Sequence, residues 1–294
     1  MNSIQNLCDQ FFERHKSFLV ENYPGIRKEV LIRELEGLCD FRYSREDFKK
    51  TPVYSIPENQ MDQFFSKLLT GMPLEYITGY SHFYGLEFEV NDHVLIPRSE
   101  TEFLVEKSLE ICHKMKKDQL DIFEVGTGSG AIAISLAANL NEKNSITAGD
   151  ISTEALGVAK SNYSKLLYQI PEHSQIKFIE SDRLTKFEGQ CDFLVSNPPY
   201  IKSSQRSGVH KAVDSYEPHL ALYLDDEQYR QWYIHFFEQI FKVLKSTGQF
   251  LIEGHENNLE QLANWSKDAG LGNISIEKDL CGKDRFLKGS HPNG

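Results

Sequence analysis

Little in this sequence marks it for a metal, a membrane or an oxidising compartment. The five cysteines (Cys8, Cys39, Cys112, Cys191 and Cys281) are odd in number, widely spaced and free of any C-x-x-C pair. Neither a disulfide framework nor a zinc site follows, and reduced, mostly buried thiols in a cytoplasmic protein are expected. The ten histidines show no H-x-x-x-H or H-E-x-x-H spacing, so no metal is expected. Met1 to Gln5 carry no basic flank running into an apolar stretch, which argues against a secretion signal. No apolar run approaches the roughly 18 residues that a bilayer crossing takes. Basic charge is also short, with 32 Lys and Arg against 43 Asp and Glu, a net −11. Proteins that wrap nucleic acid or lie on anionic membrane usually carry the opposite sign, so neither is expected as a partner.

What is present suffices for two domains at about 100–200 residues each, since the chain has 294 residues of which 40% are apolar. Ten basic and eleven acidic side chains precede Gly71, so the first segment is nearly neutral and the rest carries almost all the negative charge. That first segment reads as helices. Ile4, Leu7, Cys8, Phe11 and Phe12 recur at helical spacing, and Phe18 and Leu19 continue the stripe. Pro24 is placed to open a second helix with Val30, Leu31, Leu35 and Leu38 as its apolar face. Ser55-Ile-Pro-Glu58 has the form of a capping box ahead of Met61, Phe64, Phe65, Leu68 and Leu69, and Gly71 suits the residue just past that helix.

The period then changes. Leu86, Phe88 and Val90 alternate with Glu87 and Glu89, Asn91-Asp92 reads as a turn, and Val94-Leu-Ile96 is the expected return strand of a hairpin within 80–97. Ser99-Glu-Thr-Glu102 is a second capping box, predicting a helix to about Lys116. From Leu120 the patterns predict strands at 120–125, 145–149, 176–180, 192–196, 247–253, 273–277 and 285–288, with helices near 129–140, 152–166, 226–245 and 257–269. Alternating strands and helices predict an α/β fold, a doubly wound and mostly parallel sheet with helices on both faces. Residues 201–225, with Lys202, Arg206 and Lys211, read as a long polar loop, either solvated or a lid.

Two segments carry chemistry. Phe123-Glu-Val-Gly126-Thr127-Gly128-Ser129-Gly130-Ala131 follows the first strand of the sheet and opens a helix; its glycines let the backbone turn sharply and a ligand approach closely. Twenty residues past Gly130, Asp150 ends the second strand, where a carboxylate can accept both hydroxyls of a ribose. Alone, this loop has several readings. Gly126-x-Gly128-x-x-Ala131 also satisfies the dinucleotide fingerprint, and a glycine turn serving only packing is the plain alternative. Glu124 tilts the balance, because an acid there repels a pyrophosphate and suits the ammonium of S-adenosylmethionine. Ser181-Asp182-Arg183, after the third strand, stands where such sheets contact an adenine ring, and reads equally well as a polar surface loop. A serine-hydrolase elbow is excluded, since Thr127 stands where G-x-S-x-G needs a glycine before Ser129.

The second segment is Asn197-Pro198-Pro199-Tyr200, at the C-terminal end of the strand Asp192–Ser196. Ligands of open α/β sheets bind outside those carboxyl ends. An isolated Asn-Pro-Pro-Tyr is most simply a rigid turn. Two strands after a glycine loop it suits an amine instead. The nitrogen of an amide or an aromatic amine is planar, its lone pair delocalised, and therefore a poor nucleophile. The Asn197 side-chain oxygen and the Pro198 carbonyl, stiffened by two prolines, can accept both N–H groups and aim the lone pair at an electrophilic methyl. That is a positioning effect. Tyr200 would pack on the flat substrate group. Methylation of an exocyclic amine on DNA or RNA fits the same logic, whereas a nicotinamide-binding module leaves Asn197 to Tyr200 unexplained.

Taken together, Pro73-Leu-Glu-Tyr-Ile-Thr-Gly79, Phe83-Tyr-Gly85, Leu95-Ile-Pro-Arg98, Glu124-Val-Gly-Thr-Gly-Ser-Gly130, Asn197-Pro-Pro-Tyr-Ile201, Tyr216-Glu-Pro-His-Leu-Ala-Leu222 and Gly282-Lys-Asp-Arg-Phe-Leu-Lys-Gly289 resemble the protein-(glutamine-N5) methyltransferases of the HemK/PrmC family, over nearly the whole chain. The resemblance implies a Rossmann-like class I methyltransferase sheet of seven strands, preceded by a small helical bundle and a β-hairpin linker. Residues 1–72 would be a helical substrate-recognition domain, 73–98 the linker and 99–294 the catalytic domain. By resemblance, Gly126, Thr127, Gly128, Ser129, Gly130, Asp150, Arg183 and Asn197 contact S-adenosyl-L-methionine, and Asn197, Pro198, Pro199 and Tyr200 hold the substrate. That substrate is the glutamine of the Gly-Gly-Gln motif in class 1 peptide chain release factors, modified by a cytoplasmic, monomeric enzyme. A related activity on a ribosomal-protein glutamine stands beside it. Two departures from the family pattern occur: Ser99 replaces a usual proline, and Arg183 stands where some members have tryptophan.

Overall fold

The computed structural model describes residues 3–38 and 58–294. The chain divides into two compact units, residues 1–80 with 210–216 and residues 81–209 with 217–294.

The first unit is helical: α1 (Ile4–Asn22), α2 (Lys28–Leu38), α3 (Glu58–Leu68) and the short α4 (Leu74–Thr78). Ser3 caps α1, its side chain accepting from the Asn6 amide. Ile4, Cys8, Phe12 and Leu19 of α1 share one core with Leu31, Ile32, Leu35, Met61, Phe64, Leu68 and Ile77. The apolar stripe read from the sequence is therefore a packing face, interrupted at His15, where non-helical φ and ψ kink α1. The second helix opens at Lys28 rather than at Pro24, because Gly25 takes φ +81° and turns the chain first. Gly71 behaves as expected, with φ +79° and its amide donating to the Leu68 carbonyl. The capping box at Ser55 and the thiol of Cys39 lie outside the described residues. A short helix, Lys211–Tyr216, belongs to this unit, and the Tyr216 hydroxyl donates to the Thr70 carbonyl at 3.0 Å.

Ahead of the large sheet, β1 (Tyr80–Phe83) and β2 (Leu86–Glu89) form a hairpin. Its turn is Tyr84-Gly85, both at positive φ, as a two-residue type I′ turn requires. The return strand expected at 94–96 does not form. The Ile96 amide instead donates to the buried Glu217 carboxylate at 3.2 Å, so no ladder partner is left for it. Helix α5 (Ser99–Lys114) also departs from its expected cap: Arg98 is the N-cap residue and no side chain caps it. Ser99 lies inside the first turn and bonds Glu100, while Glu102 accepts from the Tyr84 amide at 2.8 Å and ties the hairpin turn to the helix.

The sheet then builds in alternation: β3 (Gln119–Val125), α6 (Ala131–Asn139), β4 (Lys143–Asp150), α7 (Thr153–Leu166), β5 (Ser174–Glu180) and β6 (Cys191–Ser196). After two short strands, β7 (Ile201–Lys202) and β8 (Tyr223–Leu224), come α8 (Asp226–Val243), β9 (Leu244–Glu253), α9 (Leu259–Asp268), β10 (Gly272–Lys278) and β11 (Asp284–Ser290). The seven predicted strands all form. Their spatial order is β5-β4-β3-β6-β9-β11-β10, parallel except for β11, which runs antiparallel to both neighbours. Residue parity decides which helical layer each side chain meets. Leu120 and Ile122 of β3 join Ile134, Phe193, Val195 and Leu251 on one face. Phe123 and Val125 join Leu194, Phe237, Phe250 and Ile252 on the other. Strands buried on both faces read as continuous apolar runs, as β3 and β6 do, whereas the edge strands β5 and β10 alternate in exposure.

Residues 201–225 are not a structureless loop. Parallel pairing of β7 with β8 closes its base, and helical turns fill the interval. The strand order reverses between β3 and β6, and the crevice beyond their carboxyl ends is where this architecture places ligands.

Candidate active site

That crevice is a cavity of about 290 Å³. The glycine loop forms one wall. Gly126 and Thr127 donate their amides to the Gly149 carbonyl at 2.8 and 3.0 Å, which fixes the loop to the end of β4. Gly126, Gly128 and Gly130 all have positive φ. At Gly128 a side chain would project into open space, so the glycine leaves the backbone accessible to a ligand; at Gly130 a Cβ would meet Ile134 at 2.9 Å, so that glycine serves helix packing. Asp150 accepts from the Gly128 amide at 2.8 Å and the Ser152 amide at 3.0 Å. Burial pushes its carboxyl up despite these bonds.

Glu124, the acid of the glycine loop, does not line the cavity. It lies behind the loop, fully buried, accepting from the Thr127 hydroxyl at 2.7 Å, and its other oxygen has no partner among the described residues. Burial raises its carboxyl to about 8, against the opposing Thr127 bond. Its part is to anchor Thr127.

Arg183 lines the far wall. Its guanidinium chelates Asp182, donates to the Trp232 carbonyl at 3.3 Å and lies 5.3 Å from the Trp232 ring centre. A φ of +50° at a non-glycine residue is uncommon, and these three contacts hold it. Arg183 and Trp232 both line the cavity, with the guanidinium over the indole ring.

Asn197 opens the remaining wall, just after β6. Ser196 donates to the Val125 carbonyl at 2.7 Å, fixing the end of β6 against β3. The Tyr233 hydroxyl of α8 donates to the Pro199 carbonyl at 3.1 Å, and Asn258 Nδ2 donates to the Tyr200 carbonyl at 3.2 Å. Among the described residues no donor reaches the Pro198 carbonyl or the Asn197 side-chain oxygen. Asn197 Nδ2 donates to Thr101 Oγ1 at 3.1 Å, and Thr101 donates to Glu253 at 2.8 Å. The segment is rigid, with two neighbouring oxygens unused. Gly126 to Ser129, Asp150, Arg183 and Asn197 to Pro199 all line the one cavity; Gly130 and Tyr200, also expected at the site, are not among its lining residues. Burial pushes the Tyr200 hydroxyl up, and its ring centre lies 6.3 Å from that of His255.

A family model, the methyltransferase small domain, matches residues 101–220, a span that includes both the glycine loop and Asn197–Tyr200. A release factor glutamine methyltransferase of Flavobacterium psychrophilum is 35% identical over 250 residues, 83% of this chain and 85% of its own. Another, of Koribacter versatilis, is 33% identical over 279 residues, 92% of either chain. This chain belongs to the release factor glutamine methyltransferases. Among solved structures, the hMettl16 catalytic domain in complex with MAT2A 3'UTR hairpin 6 aligns with a TM-score of 0.52 at 18% identity, covering 70% of this chain and 76% of that one. That likeness extends to the fold alone.

In this release factor glutamine methyltransferase, four supporting residues escape sequence reasoning: Thr101, Trp232, Glu253 and Glu217. Their partners are distant in sequence. Glu217 is buried and binds Arg98 and the Ile96 amide, joining the Leu95–Arg98 and Tyr216–Leu222 motifs across more than 100 residues. A glutamate followed by Pro-His-Leu gives no hint of that. Glu124 also gives a stability prediction. The unfolded carboxyl loses its proton near 4.5, the folded one near 8, so between those values the folded state holds a proton the unfolded state has released. Stability should therefore fall as pH rises through this window. Glu124→Gln should flatten that slope and raise the melting temperature at about pH 8; a slope unchanged from the native chain would contradict the assignment.

Proposed function

We propose that the protein transfers the methyl group of S-adenosyl-L-methionine to the side-chain amide nitrogen of a glutamine in class 1 peptide chain release factors. The observation that carries this reading is the pair of unused acceptors, the Asn197 side-chain oxygen and the Pro198 carbonyl, beside a glycine-walled cavity. The residues fit the cofactor. Open backbone at Gly128, the Asp150 carboxylate and the Arg183–Trp232 wall suit an adenosyl group with its ribose. When bound, S-adenosylmethionine supplies a sulfonium methyl: the N–C bond forms as the C–S bond breaks, the electron pair stays on sulfur, and the amide releases a proton to water.

Asn197 and Pro198 do the rest by position. Accepting both N–H groups of the glutamine amide holds the nitrogen at a fixed angle and leaves its lone pair facing the cavity. Tyr233 and Asn258 anchor the Pro199 and Tyr200 carbonyls that follow these acceptors, and Thr101 accepts from Asn197 Nδ2. No strong base is called for, since a methylated amide nitrogen is acidic before it loses its proton.

The helical unit is the proposed docking surface for the release factor. A single glutamine offers little area, whereas specific protein pairs bury about 1,200–2,000 Å². Whole release factor should therefore be methylated with a far higher kcat/KM than a short glutamine peptide; equal values would remove the docking role. Among the described residues no helix is long and apolar enough to cross a membrane, and a cytoplasmic location suits the proposed substrate. Labelled S-adenosylmethionine, offered separately with release factor, ribosomal protein, DNA and RNA, tests the reading. Label in release factor is expected, and label in nucleic acid alone would overturn it.

A further inference from the structure

Deepening the reading above, and resting on it, we infer that Thr101 and Glu253 are positioning residues that decide which end of the Asn197 amide faces the substrate. A terminal amide fits its slot in two ways that exchange oxygen and nitrogen. Only one of them presents an acceptor to a glutamine N–H. The other presents two donors and repels it.

The hydrogen-bond chain selects between them. Thr101 has one hydroxyl hydrogen, and Glu253 Oε2 takes it at 2.8 Å. What Thr101 then offers Asn197 is a lone pair, which can meet only Nδ2, at 3.1 Å. The oxygen of Asn197 is thereby turned outward. A proton on Glu253 reverses the sequence. The carboxyl can then donate to Thr101, Thr101 donates onward, and Asn197 satisfies it by turning its oxygen inward. One protonation, two hydrogen bonds from the site, thus exchanges the acceptor for donors.

Burial makes the chain exclusive. Thr101 is 5% exposed and Glu253 1% exposed, and buried networks of this kind admit few alternative partners. The charged and titratable groups facing Glu253 are Arg98 and Glu100 at the start of α5, Arg285 on β11 and Tyr200 after β6. Burial is the largest influence and raises the carboxyl to about 7, with the Thr101 bond, Arg285 and Arg98 opposing and Glu100 adding. Titration accordingly falls near neutrality, where methyl transfer should rise with pH.

The alternative is that Thr101 and Glu253 only tie α5 to the end of β9. Kinetics of the full chain with S-adenosylmethionine and whole release factor, from about pH 5.5 to about 9, separate the two. The native chain should show kcat rising through about pH 7. Thr101→Val should lower kcat roughly 10- to 100-fold, with KM for S-adenosylmethionine unchanged. Thr101→Ser should restore both rate and pH profile, and Glu253→Gln should flatten the profile. Thr101→Val within about threefold of native kcat, or Glu253→Gln keeping the native inflection, would overturn the inference. A second measurement needs no substrate: the Asn197 side-chain 15N–1H resonances should titrate near pH 7 in the native chain and stay fixed in Glu253→Gln. Resonances that do not titrate would also overturn it. Absence of label in release factor would instead fell the substrate reading, leaving the resonance experiment to judge the amide alone.

Discussion

Asn197→Ala is expected to lower kcat on release factor by roughly a hundred- to a thousandfold, the scale seen when one positioned hydrogen-bonding group is removed from an active site. Cofactor affinity should change far less. The proposed cofactor wall consists mainly of the glycine loop, Asp150, Arg183 and Trp232, and none of these depends on the Asn197 side chain for its contacts. What the substitution removes is one of two fixed acceptors, so the glutamine amide would bind with its nitrogen free to rotate. Its lone pair would then point at the methyl only occasionally. Pro198 would still offer its carbonyl, because Pro199 and Tyr200 remain pinned by Tyr233 and Asn258. Single-turnover measurement with release factor, alongside calorimetric titration of the cofactor, checks both halves. Near-native turnover would refute positioning by Asn197.

Asp150→Ala should act on the other ligand. The carboxylate holds the Gly128 and Ser152 amides and would accept the ribose hydroxyls as well. Hydrogen bonds to a charged group contribute roughly 1.5–3 kcal/mol each. Losing the ribose contact and the loop anchor together should weaken S-adenosylmethionine binding at least tenfold to a hundredfold. Asp150→Asn keeps one acceptor oxygen and should lose less. Calorimetric titration of both variants decides the matter; unchanged affinity in a folded Asp150→Ala protein would reject this role.

The sheet was legible in the sequence because β3, β6 and the second half of β9 are buried on both faces, while the edge strands β5 and β10 alternate in exposure. Every one of the seven was located, with four ends placed as expected and the others displaced by one to three residues. The glycine loop and Asn197–Tyr200 were legible for a different reason: each is a contiguous segment whose conformation is set by its own glycines or prolines. The misreadings share a cause. The strand expected at 94–96, the cap expected at Ser99 and the loop expected at 201–225 were all decided by partners far along the chain. Glu217 takes the Ile96 amide, Glu102 is spent on the hairpin turn, and β8 pairs with β7. Glu124 differs in kind: its partner Thr127 is three residues away, and what the sequence did not carry is its complete burial. Thr101 and Glu253 gave no signal at all, being 152 residues apart and meeting only in the folded chain.

The expected site of methylation is a glutamine side-chain nitrogen presented to Asn197 and Pro198. Its most direct test is fragmentation mass spectrometry of a class 1 release factor after incubation with S-adenosylmethionine and either the native chain or Asn197→Ala. One added methyl group, located on a glutamine side chain with the native chain and absent with the variant, is the predicted result. A methyl on another residue type, or the same glutamine methylated equally by the variant, would contradict it.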